Sequence, residues 1–171
     1  MNAVYYRAED YLGVVRRLII DVVDVSIASI VSLMVTLVVA GDSDTAEMRV
    51  LLTWLSWSAV WVLYFVVLKG SRFRTLGYVL AGARIVNFRG ERPSYLALLG
   101  RLAFGILGPV NFVIDLCWVW SDPSHQALRD KFAHTYVVRN GAVPAGAARI
   151  VYPTYMTFGW TLMFAEVRPA A

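Results

Sequence analysis

Long apolar runs separated by short polar segments order this chain. Residues 18–40 and 50–68 are each long enough to cross a bilayer as a helix, which takes about 20 apolar residues. A third run, 96–120, contains Arg101 and Asp115 and is interrupted by Gly105, Gly108 and Pro109. A fourth, 150–165, is interrupted by Pro153 and Gly159 and is marginal for spanning; its Tyr152, Tyr155, Phe158, Trp160 and Phe164 suit an interfacial segment.

The polar positions at the head of the first run carry the most information. The segment reads Arg17-Leu-Ile-Ile-Asp21-Val-Val-Asp24 and then has no charge up to Ala40. At about 100° per residue, Arg17, Asp21, Asp24 and Ala28 fall on one helix face, with Ser32 and Thr36 close to the same stripe. Charge is costly in hydrocarbon, so this face is expected to meet protein, water or other charges rather than lipid. Arg17 sits at the membrane edge with Asp21 one turn inward, which suits a neutralising i,i+4 pair. Asp24 lies about 10 Å deeper than Arg17 by helical rise and is expected to meet Arg101 or a backbone group at a strand end.

The second run has its own period. Trp54, Trp57, Trp61 and Tyr64 recur at i, i+3, i+7 and i+10, one face of a helix. Interfacial belts place aromatics at the two ends only. A continuous stripe is read either as lipid-facing, as a packing seam, or as the seat of a flat apolar ligand such as a pigment, quinone or lipid.

The third run has two readings. As one kinked helix it crosses once. Broken near Pro109, it enters and leaves on one face as a re-entrant or helical-hairpin block. Two short stretches favour the second. Residues 83–88 and 134–138 are rich in β-branched and aromatic residues, and each ends at a turn signal, Arg89-Gly90 and Arg139-Asn140-Gly141. Their pairing requires both to lie on one side of the membrane. The predicted fold is therefore an all-α integral membrane protein with two spanning helices, a broken or re-entrant third block, and a short cytoplasmic hairpin-like strand pairing. A membrane domain over 1–140 is followed by an Ala/Gly/Pro linker over 141–149 and a C-terminal interfacial or membrane segment over 150–171.

Composition agrees with one polytopic domain: 171 residues, 58% hydrophobic and 16% charged. The net charge of +4 points to Lys- and Arg-rich cytoplasmic loops, not nucleic acid, because no basic helix or aromatic RNA-binding motif is present. Asp42, Asp44 and Glu47 precede the second run, and a segment with Lys69, Arg72, Arg74, Arg84, Arg89 and Arg92 follows it. The positive-inside rule puts the N-terminus and the basic segment in the cytoplasm. The first run is too long for a signal-peptide core and is expected to remain as an anchor in a membrane such as the bacterial inner membrane. One cysteine, Cys117, permits no intramolecular disulfide, and His125 and His134 show no metal-ligand spacing. There is no Gly-x-Ser-x-Gly, phosphate loop or His-Glu-x-x-His, so no enzyme is expected and no cofactor is assigned. Asp130, between Arg129 and Lys131, reads as a cap or turn stabiliser.

With these pieces placed, the chain resembles the RDD family of small polytopic membrane proteins over about residues 10–140. The family's arginine and aspartate, seven apart at the start of the first span, are matched by Arg17 and Asp24, with Asp21 an additional acid. Its Thr-Leu-Gly-Lys turn is matched by Thr75-Leu76-Gly77, with Tyr78 in place of the lysine. Arg101 matches an arginine early in the third block. Its Leu-His-Asp-Lys turn and Thr-x-Val-Val strand are matched by Leu128-Arg129-Asp130-Lys131 and Thr135-Tyr136-Val137-Val138, with Arg129 replacing a histidine and His134 a glycine. The resemblance implies a membrane protein for which transport is often suggested. The residues themselves favour an accessory or scaffold subunit, with the lipid bilayer and other membrane subunits as partners. The alternative is a small cation- or proton-coupled transporter working as a homo-oligomer. Arg17, Asp21, Asp24, Arg101 and Asp130 are the structural or ion-site candidates, and Trp54, Trp57, Trp61 and Tyr64 the packing or ligand seam.

Overall fold

The computed structural model describes residues 3–41, 45–106, 109–122, 124–157 and 160–170. Asp42 and Asp44 of the acidic loop, Gly108, and Phe158 and Gly159 of the C-terminal run lie outside them. After a short strand, β1 (Ala3–Tyr5), the chain enters α1 (Val14–Ala40). A second long helix, α2 (Ala46–Val62), continues as a π-helical run over Leu63–Leu68. Thr45 caps its start by accepting a hydrogen bond from the Met48 N–H at 3.3 Å. Among the described residues, Val14–Ala40 and Ala46–Leu68 are the two helices long and apolar enough to cross a membrane. At 1.5 Å per residue the 27 residues of α1 extend about 40 Å, longer than the hydrocarbon core.

The stripe read from the first run is the buried one. Arg17, Asp21, Asp24, Ala28 and Ser32 are all buried, whereas Leu33, Leu37 and Val38 are exposed. Ala28 and Ser32 allow α1 and α2 to approach closely, and deeper in the span Thr36 and Ser56 hydroxyls meet at 2.9 Å.

The third run is two helices, α4 (Tyr95–Ile106) and α5 (Pro109–Ser121), bent by 116°. Before it come a one-turn helix, α3 (Leu76–Leu80), and strand β2 (Ala83–Asn87). After it come another short helix, α6 (Leu128–Phe132), and β3 (Thr135–Arg139). β2 and β3 pair antiparallel from Ala83↔Arg139 to Asn87↔Thr135, as the strand signals predict. This pairing joins the segments that flank the bent block. His134, where the family has a glycine, has φ 52°, a left-handed backbone that glycine adopts without strain.

The fold is not purely all-α. The C-terminal residues form β4 (Gly146–Val151), β5 (Thr154–Thr157), β6 (Trp160–Met163) and β7 (Glu166–Pro169). β4 lies between β1 and β7 in one antiparallel sheet, and β5 and β6 form a hairpin. The run was opaque to periodicity because Pro153 and Gly159 divide it and apolar residues occupy both strand faces. Tyr6, Tyr11, Phe88, Tyr136 and Val138 form the core between the two sheets. Ile20, Val66, Tyr78, Ile85, Leu98 and Leu102 join the helices to β2.

Candidate functional site

The polar face of α1 is met by three groups of residues from distant parts of the chain. Asp130, on α6, is fully buried. It accepts a hydrogen bond from Arg17 Nη1 at 2.5 Å, an ion pair from Arg101 Nη1, and the Ala127 N–H at 3.2 Å. The carboxylate thus closes the turn into α6, as the cap reading expects, and also neutralises two guanidinium groups. Arg101 Nη1 also donates to Thr135 Oγ1 at 2.7 Å, and Arg17 Nε donates to the Leu12 carbonyl at 3.1 Å.

Asp21 pairs with Arg129 rather than with Arg17, at 2.5 Å. Arg129 is shared, since its Nε lies 2.9 Å from Asp115 Oδ2 and its backbone N–H donates to Asp115 Oδ1 at 3.0 Å. The i,i+4 pair is absent because Arg17 reaches Asp130, a partner 113 residues away that local spacing does not reveal.

Asp24 meets neither Arg101 nor a strand end. Its carboxylate accepts from Thr75 Oγ1 at 2.6 Å, the Gly77 N–H at 2.8 Å and Tyr64 Oη at 3.1 Å. Lys69 Nζ stands 3.8 Å away. Gly77 is required by proximity: a Cβ there would lie 2.7 Å from both Asp24 Oδ1 and the Ile20 carbonyl oxygen. Tyr78 presents its ring to the Lys69 ammonium at 4.8 Å, so the residue capping the π-helical run supplies a cation beside Tyr78.

Together these ion pairs join four cations, Arg17, Lys69, Arg101 and Arg129, to four carboxylates, Asp21, Asp24, Asp115 and Asp130. Beyond them, buried Lys131 pairs with Asp122 at 2.5 Å and Glu166 at 2.8 Å, tying β7 to α6. Tyr155 also donates to Glu166. Burial would raise the Glu166 pKa, but the hydrogen bonds from Lys131 and Tyr155 outweigh it and hold the carboxyl below its ordinary value.

The aromatic stripe divides. Trp54, Trp57, Trp61 and Phe65 line a cavity of about 510 Å³, while Tyr64 turns to Asp24. The π-helical run from Leu63 breaks the 3.6-residue period and brings Phe65 to the cavity in place of Tyr64. Leu98 and Leu102 face the tryptophans, and Asp21, Lys69, Arg101 and Arg129 form the polar end. A second cavity of about 250 Å³ lies under the basic segment, lined by Arg72, Arg74, Arg84 and Arg92, with Glu91 its acid. Lys69 lines both. Arg74, at φ 61°, donates to the Ala83 carbonyl at 3.0 Å, and Arg84 to the Ala142 carbonyl at 2.6 Å. None of these four arginines forms an ion pair among the described residues.

His125 lies 3.1 Å from the Val119 carbonyl and His134 stacks on Phe88, and no metal-holding group of His, Cys, Asp or Glu occurs among the described residues. Sequence reasoning missed Lys69, Thr75 and Gly77 as partners of Asp24, although the last two lie inside the recognised turn motif. Asp115, a charge inside an apolar run, was the available signal for the Arg129 seat.

Two apolar spanning helices, a bent helix pair and a charge-matched face buried between them define a polytopic membrane protein. The RDD family model matches residues 11–134, and the chain belongs to that family. No curated protein and no solved structure matches it.

Proposed function

We propose that this RDD family membrane protein is a non-enzymatic accessory or scaffold subunit of a larger membrane assembly. On this reading the N-terminus and the β2–β3 pair face the cytoplasm. The observation that carries the reading is the closed charge balance of the α1 face, four cations against four carboxylates. A route for a cation or proton needs ionisable groups left available to the moving charge. Here each aspartate is engaged by partners from the same chain, and the face works as a lock between α1, α4 and α6. A second feature supports docking. The C-terminal segment, outside the family match, exposes Tyr152 between β4 and β5, Met156 on β5 and Met163 on β6, at 61%, 81% and 62%. Exposed apolar groups gathered on an appendage tied down by Lys131 and Glu166 suit a partner contact.

The test uses native membranes solubilised in mild detergent. The chain is expected to migrate within an assembly larger than itself, and Met156→Ser with Met163→Ser to release it while it stays folded. Ion flux in proteoliposomes of the purified protein, abolished by Asp24→Asn, would overturn the scaffold reading in favour of a cation- or proton-coupled transporter.

A further inference from the structure

The two cavities differ in chemistry and meet at one residue. The larger is walled by Trp54, Trp57, Trp61 and Phe65, and the smaller by arginines. Lys69, whose side chain is 9% exposed, lines both and stands where α2 ends. Its ammonium donates no hydrogen bond among the described residues. The nearest carboxylate oxygen, on Asp24, is 3.8 Å away and already accepts from Thr75. The ammonium also lies over the rings of Phe65 and Tyr78, at 4.9 and 4.8 Å. Bordering two cavities, with one carboxylate at 3.8 Å and two ring faces, the ammonium is placed to take a further acceptor from a bound molecule.

The charges lining the two cavities are mostly positive. Lys69, Arg72, Arg74, Arg84 and Arg92 face Glu91 alone around the smaller cavity. At the polar end of the larger one, Lys69, Arg101 and Arg129 face Asp21. The acids that balance the buried face, Asp24, Asp115 and Asp130, do not line either cavity.

The dimensions fit a molecule with a charged head and a long apolar tail. From Lys69 back to Trp54 is 15 residues of helix, about 22 Å at 1.5 Å per residue, more than the depth of one leaflet. The larger volume, about 510 Å³, falls in the ordinary range for small-ligand sites. Trp54 is 70% exposed, so this wall is open at the surface of a candidate spanning helix, where a tail can enter sideways.

We propose that the two cavities form one binding site for an anionic phospholipid, with its phosphate at Lys69, its head among the arginines and an acyl chain along the tryptophans. Basic pockets at a membrane surface hold anionic headgroups by charge, and the apolar groove adds the selection for a tail. This site shares Lys69, Arg101 and Arg129 with the ionic face but no part of the β5–β6 hairpin, so loss of the partner contact and loss of lipid selectivity are separable.

The test is a titration of the full chain in mild detergent with phosphatidylglycerol carrying brominated acyl chains, which quench tryptophan on contact. Saturable quenching is expected, with an apparent affinity about tenfold higher than for brominated phosphatidylcholine. Lys69→Gln should erase the preference and Lys69→Arg keep most of it. Arg72 and Arg92 are exposed, so Arg72→Gln with Arg92→Gln keeps the fold and should also lower the preference. Equal quenching by the two lipids would overturn the proposal in favour of an unselective apolar groove. Displacement of the lipid by inorganic phosphate at equal concentration would overturn it in favour of a free-anion site. A preference unchanged by Arg72→Gln with Arg92→Gln would overturn it as well, whether or not the Lys69 variants fold.

Discussion

Asp24 and Asp130 are both buried in the same ionic face, yet opposite chemistry holds them. Asp130 takes up two guanidinium groups, Arg17 and Arg101. Asp24 rests on a threonine hydroxyl, a tyrosine hydroxyl and a backbone N–H, with its one cation at 3.8 Å. The first seat joins α1, α4 and α6 by charge. The second joins α1 to α3 by shape, since glycine is needed for the backbone to come so close. Loss of a carboxylate therefore means different things at the two places: stranded charge at Asp130, and mainly stranded neutral donors at Asp24.

The largest effect is expected at Asp130. Asp130→Ala leaves two buried guanidinium groups facing each other and should cost about 3–5 kcal/mol, read as loss of folded protein on a sizing column in detergent. Wild-type behaviour of this variant would break the comparison, because the guanidinium groups would then have other acceptors.

Asp24→Ala should cost less, about 1–3 kcal/mol for each donor left unsatisfied, and still more than Asp21→Ala. Arg129 keeps Asp115 when Asp21 is removed, whereas Thr75 and Gly77 lose their acceptor when Asp24 is removed. Thermal denaturation of the two variants side by side gives the order, and an equal loss would mean that Arg129 needs both carboxylates. Gly77→Ala sharpens the shape argument without touching charge. Its methyl would collide with the Ile20 carbonyl and the Asp24 carboxylate, at a cost of about 1–3 kcal/mol, typical of overpacking. A midpoint equal to wild type would show that α3 can move away from α1 freely.

The side of α1 that avoids lipid was legible, because helical spacing alone put Arg17, Asp21, Asp24 and Ala28 together and all four are buried. The strand pair was legible from β-branched runs ending at turns. The partners of the acids were not, because each lies across a loop or more than a hundred residues away, and spacing within one helix carries no information about them. Tyr64 was misassigned to the tryptophan face because a π-helical turn changes the angular period where the stripe ends. The C-terminal strands were hidden by a run whose apolar residues follow neither a helical nor an alternating pattern.

The distance in sequence between Arg17 and Asp130 also sets an order of events during synthesis. The ribosome adds about 5–20 residues per second, so Asp130 is made roughly 6–23 s after Arg17, given their separation of 113 residues. For that interval α1 exists without the carboxylate that neutralises its arginine, and the turn that receives Asp24 is made only about halfway through it. The sheet repeats the same delay, since Ala3 pairs with Ala148 and β7 is made later still. The first strand to leave the ribosome is thus among the last to find its neighbour, and a nascent chain halted before Asp130 would hold both spans but no lock.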